Sequence, residues 1–159
     1  MTISVGDKIP SVSVMMATAE GPQKADAADV LGKGKVAFFA VPGAFTPTCS
    51  AKHLPGFVQN ADALKQKGVD KIVCMSVNDA FVMKAWGDSQ NAAGVEMMAD
   101  GNGDFAKALG LTMDASGFGM GARSKRFSAI IENGVVKELN VEGPGEFKVS
   151  SAEHMLGQL

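Results

Sequence analysis

An unbroken apolar run, Val36-Ala37-Phe38-Phe39-Ala40-Val41, gives way to Pro42-Gly43 and then to a stretch of helical character. A strand apolar at every position has no face to offer water, so it must lie inside a sheet covered on both sides. Within the segment Pro42-Gly43-Ala44-Phe45-Thr46-Pro47-Thr48-Cys49-Ser50, that order places Cys49 where the helix begins. The first turn of a helix leaves backbone N–H groups unpaired, and the aligned peptide dipoles add partial positive charge there. A thiolate is stabilised in that field. Cys49 is therefore expected to be acidic and reachable, a candidate for redox or covalent chemistry.

The remaining elements follow from pattern. Ser11 to Met16 alternates weakly and reads as an early strand, and Asp26 to Leu31 as a short helical turn. A helix is expected from about Pro47 to Lys67, capped by Gly68 and kinked at Pro55-Gly56. Lys71 to Val77 is a second buried strand, and Asn78-Asp79 caps a helix from about Ala80 to Gln90. Val95 to Ala99 reads as a short strand and Asp104 to Leu109 as a short helix. Ser116 to Ala122 is a Gly-rich loop. Phe127 to Ile131 and Val135 to Val141 pair across Asn133-Gly134, a two-residue hairpin signal. Ser150 is expected to cap a final helix to about Leu156, with Glu153 completing a capping box. The sum is one α/β domain over 1–159. It resembles the thioredoxin-like arrangement, a central mixed sheet flanked by helices with the reactive cysteine at the start of a kinked helix.

Composition removes several function classes. A net charge of −2 and a pI near 5.6 give no footprint for nucleic acid or an anionic membrane surface. No apolar stretch reaches a membrane span, and the N-terminus has neither a basic region nor an apolar signal core, so a soluble, cytoplasmic protein is expected. Two cysteines, Cys49 and Cys74, make no disulfide framework and no CxxC dithiol. The ten scattered methionines read as core filler. Gly117-Phe118-Gly119-Met120-Gly121 lacks the lysine of a phosphate-binding loop.

The spacing Pro42-x-x-x-Thr46-x-x-Cys49 resembles the active-site signature of the peroxiredoxins, and Pro-Gly-Ala-Phe-Thr-Pro-x-Cys-Ser is similar to their type II, or peroxiredoxin-5-like, subgroup. His53-Leu54-Pro55-Gly56-Phe57, Ser76-Val77-Asn78-Asp79-Ala80-Phe81, Trp86-Gly87 and Arg123-Ser124-Lys125-Arg126-Phe127 resemble further pieces of that subgroup, across essentially the whole chain. The resemblance implies a thiol-dependent peroxidase acting on hydrogen peroxide and small organic hydroperoxides without a cofactor. It implies that Cys49 is the peroxidatic nucleophile, oxidised to a sulfenic acid. Thr46 would hold the thiolate and orient the peroxide. Arg126 would keep the sulfur anionic and stabilise the leaving oxygen, with Arg123 either supporting it or lying in solvent. Pro42 would wall the pocket, and the Thr48 and Cys49 N–H groups would bind peroxide oxygens.

Two readings of Cys74 stay open: a buried core thiol, or a resolving cysteine that pairs with oxidised Cys49. A disulfide needs Cα atoms within about 7 Å, and Gly145 to Ser151 lacks the cysteine with which some relatives resolve. An external thiol is therefore expected as reductant, with glutathione and glutaredoxin ahead of thioredoxin. A redox relay that passes oxidation to a partner protein is the alternative activity. His53 shares a helical face with Cys49 and is expected to be packed or hydrogen-bonded rather than a metal ligand, because a structural zinc site wants four ligands. The Gly-rich loop, Phe45 and Phe81 resemble the contact of a homodimer.

Overall fold

A computed structural model of the chain describes residues 2–159. In chain order the strands are β1 (Ser13–Thr18), β2 (Gly21–Asp26), β3 (Lys35–Ala40), β4 (Lys71–Ser76), β5 (Val95–Ala99), β6 (Thr112–Asp114), β7 (Ala122–Ser124), β8 (Phe127–Glu132) and β9 (Val135–Val141). The helices are α1 (Ala27–Val30), α2 (Leu54–Gln59), α3 (Ala61–Gln66), α4 (Ala80–Ser89), α5 (Asp104–Leu109) and α6 (Ala152–Leu156). A π-helical turn, Cys49–His53, precedes α2.

Seven strands form one mixed sheet in the order β2-β1-β5-β4-β3-β8-β9. The apolar runs make its centre: β3, β4 and β5 are parallel, and β1 and β8 flank them antiparallel. Side chains alternate across the pleat, so one sequence feeds two cores. Phe39, Ile72 and Cys74 face α2, α3, α4 and α6, with Leu54, Phe57, Leu64, Met83, Trp86 and Met155 packed over them. Phe38, Val73 and Met75 face α1 and α5, with Phe105, Leu109 and Phe127. Fully burying a side chain of this size contributes about 1.5–3 kcal/mol. The large members of both cores, Trp86, Phe38, Phe39, Phe57 and Phe105 among them, are all inaccessible to solvent.

The expected strands β3, β4, β5, β8 and β9 form, and the turn between the last two runs through Asn133 (φ 51°) and Gly134 (φ 80°), as a primed hairpin requires. The early strand lies slightly later than the alternation indicates. Its partner β2 was not expected, because Gly21-Pro22-Gln23-Lys24 is half-exposed edge sequence with no apolar pattern. The Gly-rich loop proves to be the tip of a two-stranded ribbon, β6 with β7.

The single kinked helix from Pro47 to Lys67 is replaced by three segments. Leu54 N–H bonds back to Cys49 O, a π-type step. Pro55 follows with no N–H to give, and the wider turn relieves the clash of its ring with the preceding turn. Asn60 (φ −100°, ψ 11°) separates α2 from α3. Ser150 does not cap the last helix. Ser151 does, accepting from His154 N–H at 3.1 Å, while Glu153 reaches Asn60 rather than closing a capping box.

Candidate active site

The loop after β3 owes its shape to contacts with the ends of neighbouring strands. Val41 N–H continues the pairing by donating to Met75 O at 3.0 Å. Ala44 N–H then donates to Asn78 Oδ1 at 2.9 Å, so the side chain after β4 holds the loop after β3. Asp79 alone caps α4, accepting from Val82 N–H at 2.9 Å. Phe45 takes a left-handed conformation (φ 62°), costly for a bulky residue, and its ring stands 56% exposed. A Cβ at Gly43 would lie 3.0–3.1 Å from side-chain atoms of Met120, Arg123 and Thr46, so any larger residue would make these three draw back by a few tenths of an ångström.

Thr46 Oγ1 donates to Gly43 O at 2.7 Å. Its proton is thus given to the backbone, which corrects the expectation that the hydroxyl holds the thiolate. What it offers the cleft is a lone pair, an acceptor for a peroxide O–H. Ser50 N–H makes the first bond of the helical turn, to Thr46 O at 2.9 Å. The N–H groups of Thr48 and Cys49 precede it and belong to the unpaired set at a helix start. Trp86 Nε1–H donates to Ser50 Oγ at 2.9 Å and pins α4 to this turn.

Cys49 itself is fully buried, which corrects the expectation of a reachable thiol. The reason is Arg126, which arrives between β7 and β8. Its Nη2 donates to Cys49 Sγ at 3.0 Å, and its Nη1 donates to His53 Nδ1 at 2.8 Å. One planar guanidinium thus covers the sulfur and is braced by the imidazole. Phe147 closes the outer side, with its ring centroid 5.9 Å from the guanidinium and 5.0 Å from the His53 ring.

His53 is buried, and Ser150 O lies 2.9 Å from its Nε2. A carbonyl only accepts and an arginine only donates, so Nε2 carries the proton and Nδ1 the lone pair. Burial first, then the Arg126 charge, pushes the imidazole down to about 3. Both ring nitrogens are committed, as expected for a hydrogen-bonded His53. Among the described residues no cluster of His, Cys, Asp and Glu could hold a metal ion.

Behind Ser150 stands Glu142, which sequence reasoning passed over. Its Oε2 accepts from the N–H groups of Lys148, Val149 and Ser150, each at 2.8 Å, and from Ser150 Oγ at 2.7 Å. Burial pulls this carboxyl upward, but the four hydrogen bonds outweigh it and hold it below the usual range. Asn78 and Ser150 were likewise missed in these roles. Each acts through a contact distant in sequence that leaves no local motif.

A cleft of about 510 Å³ is lined by Pro42, Thr46, Thr48 and Arg126 together with Met113, Phe118, Met120 and the segment Glu142 to Glu146, and Arg126 stands between it and the sulfur of Cys49. The candidate substrate-binding residues Pro42 and Thr48 thus share one cleft with Thr46 and Arg126. Arg123 does not reach the sulfur. Its Nε donates to Met120 O at 2.9 Å and its Nη1 to Pro42 O at 3.4 Å, tying the β6–β7 ribbon to the loop. Cys74 sits on β4 between Phe39 and Met97, a free thiol pushed well up by burial and by the nearby Cys49.

A mixed α/β sheet with a thiol at the start of a helix and an arginine on its sulfur has the form of a thiol-based redox protein. The comparisons agree. The Redoxin family profile matches residues 4–156. Peroxiredoxin-2E-2, chloroplastic, of Oryza sativa subsp. japonica is 49% identical over 164 residues, covering 99% of this chain and 73% of that one. Peroxiredoxin-2B of Arabidopsis thaliana is 46% identical over 159 residues, covering 99% and 98%. The crystal structure of reduced Prx3 of Vibrio vulnificus in complex with H2O2 superposes with a TM-score of 0.95 at 53% identity, covering 99% of each chain. The chain belongs to the peroxiredoxins, with their thioredoxin-like fold, and to their thiol-dependent peroxidase chemistry.

Proposed function

We propose that Cys49 is the peroxidatic nucleophile and that Arg126, Thr46, Thr48 and Pro42 bind and polarise the hydroperoxide. The observation that carries this reading is the Arg126 guanidinium, 3.0 Å from Sγ and held there by His53 at 2.8 Å. The guanidinium is a permanent cation with two fixed donors, placed beside the sulfur and the oxygens with which it reacts. The thiolate attacks the terminal peroxide oxygen. The new S–O bond forms as the O–O bond breaks, and the departing RO⁻ takes a proton from water to leave as ROH. Charge develops on that departing oxygen, beside Arg126 and the unpaired N–H groups of Thr48 and Cys49. Thr46, its own proton committed to Gly43, accepts from the peroxide O–H and fixes its direction. The cleft is large enough for small organic hydroperoxides as well as hydrogen peroxide.

The resulting Cys49 sulfenic acid is resolved by an external thiol. One glutathione displaces water and leaves a mixed disulfide. A second thiol, delivered by glutaredoxin or less favourably by thioredoxin, returns Cys49. Cys74 takes no part, since its thiol is buried on a central strand and held protonated. Two cysteines make no disulfide framework, and in a reducing compartment such as the cytosol both would rest as thiols. Phe45, Phe81 and Phe118, 56%, 73% and 83% exposed, favour a homodimer with the cleft near its seam. Light scattering at tens of micromolar is expected to give twice the chain mass.

Intact mass spectrometry after one equivalent of hydrogen peroxide tests the chemistry. The expected products are a Cys49 sulfenic acid without glutathione and a single glutathione adduct with it. A Cys74→Ser variant is expected to keep turnover with glutathione and glutaredoxin. A Cys49–Cys74 disulfide as the main product, with turnover lost in that variant, would refute the external-thiol step.

A further inference from the structure

Each hydrogen bond that sets Arg126 depends on the one behind it. Arg126 needs an acceptor on His53 Nδ1, and that nitrogen accepts only while the ring proton sits on Nε2. Ser150 O, at 2.9 Å from Nε2, holds it there. The Ser150 peptide is fixed in turn from its other side, where its N–H and its hydroxyl both donate to Glu142 Oε2. Glu142 is itself anchored across the sheet, its own N–H donating to Arg126 O at 2.9 Å. One residue therefore meets Arg126 twice, its backbone N–H holding the Arg126 backbone and its carboxylate holding the support of the Arg126 side chain.

We propose that Glu142 is a positioning residue of this site: its carboxylate clamps Lys148 to Ser150 so that the Ser150 carbonyl selects the His53 tautomer on which Arg126 rests. The inference builds on the peroxidatic reading of Cys49 and Arg126. Without the clamp the Ser150 carbonyl is free to turn. The imidazole then gains access to its other tautomer, whose Nδ1–H would face an arginine donor, and Arg126 loses its brace. A carboxylate accepting three consecutive backbone N–H groups suits this task, because each bond is charge-assisted and the peptide planes are fixed together.

The test uses the full chain and two readouts. The first is the rate of Cys49 oxidation by hydrogen peroxide in a single turnover. Glu142→Gln keeps the volume but replaces the anion by an amide. It is expected to slow oxidation about tenfold, the lower end for groups that orient a site residue, with the glutathione step unchanged. The second is the nitrogen NMR spectrum of the imidazoles, of which the chain has two. In the wild-type protein His53 is expected as the neutral Nε2–H form from pH 8 down to pH 5, and in Glu142→Gln as a tautomer mixture. A folded Glu142→Gln variant with the wild-type oxidation rate and an unchanged His53 spectrum would overturn the proposal. So would an Nδ1–H tautomer in the wild-type protein, which needs no variant to be seen. Failure of Cys49 to react with peroxide would instead remove the peroxidatic reading, while the His53 spectrum still reports on Glu142.

Discussion

Arg126 meets two different atoms with two nitrogens of one rigid plane, and lysine cannot copy that. A lysine ammonium would supply the charge near Sγ but not the second bond to His53 with the same geometry. Removing one fixed donor from a site that stabilises developing oxyanion charge costs on the order of a hundredfold in rate. Arg126→Lys is therefore expected to lower the rate constant for Cys49 oxidation by about that factor, measured by stopped-flow fluorescence. Its far-UV circular dichroism should match the wild type, because Arg126 lies outside both cores. A loss below threefold would show that charge alone suffices.

At the scale of elements, turns fix where the strands stop and hence where the site residues emerge. The β8–β9 hairpin turns at Gly134, whose φ of 80° is open to glycine and strained for other residues. Alanine in a left-handed conformation costs roughly 1–2 kcal/mol. Gly134→Ala should lower the denaturant midpoint by an amount equivalent to that cost. Arg126 and Glu142 sit at the far ends of the two hairpin strands, so the rate of Cys49 oxidation should not change. A rate that fell with stability would mean that the hairpin register, and not the clamp alone, sets Arg126.

For the whole molecule, His53 couples the site to folding. Its imidazole titrates at about 3 in the folded chain, against an ordinary value of 6.5. The unfolded chain therefore binds a proton below pH 6.5 that the folded chain refuses until about pH 3. Stability from this group is full above pH 6.5 and is lost as pH falls toward 3. At 1.36 kcal/mol per pKa unit, the protein should be roughly 2 kcal/mol less stable at pH 5 than at pH 7.5. Urea melts at the two values measure this directly, and a His53→Gln variant should lack most of the difference. An equal loss in that variant would assign the effect to other groups.

The sequence by itself determined the parts that depend on contiguous residues. An apolar run long enough for a strand, a Pro-Gly turn and a cysteine at a helix start made Cys49, Thr46 and the central sheet legible, because both the period of a strand and the end of a helix are local physics. Arg126 was legible only through a resemblance, since an arginine before a strand looks the same whether it meets solvent or a sulfur. The edge strand β2 and the short ribbon β6–β7 carried too little apolar pattern to be seen. Only the tertiary structure decided that Cys49 is buried, that the Thr46 proton belongs to Gly43, and that Asn78, Ser150 and Glu142 support the site. Each of those contacts is a hydrogen bond to a particular atom brought close by packing. A hydrogen bond depends on a direction and a few tenths of an ångström, and neither is written in the spacing of residues along a chain.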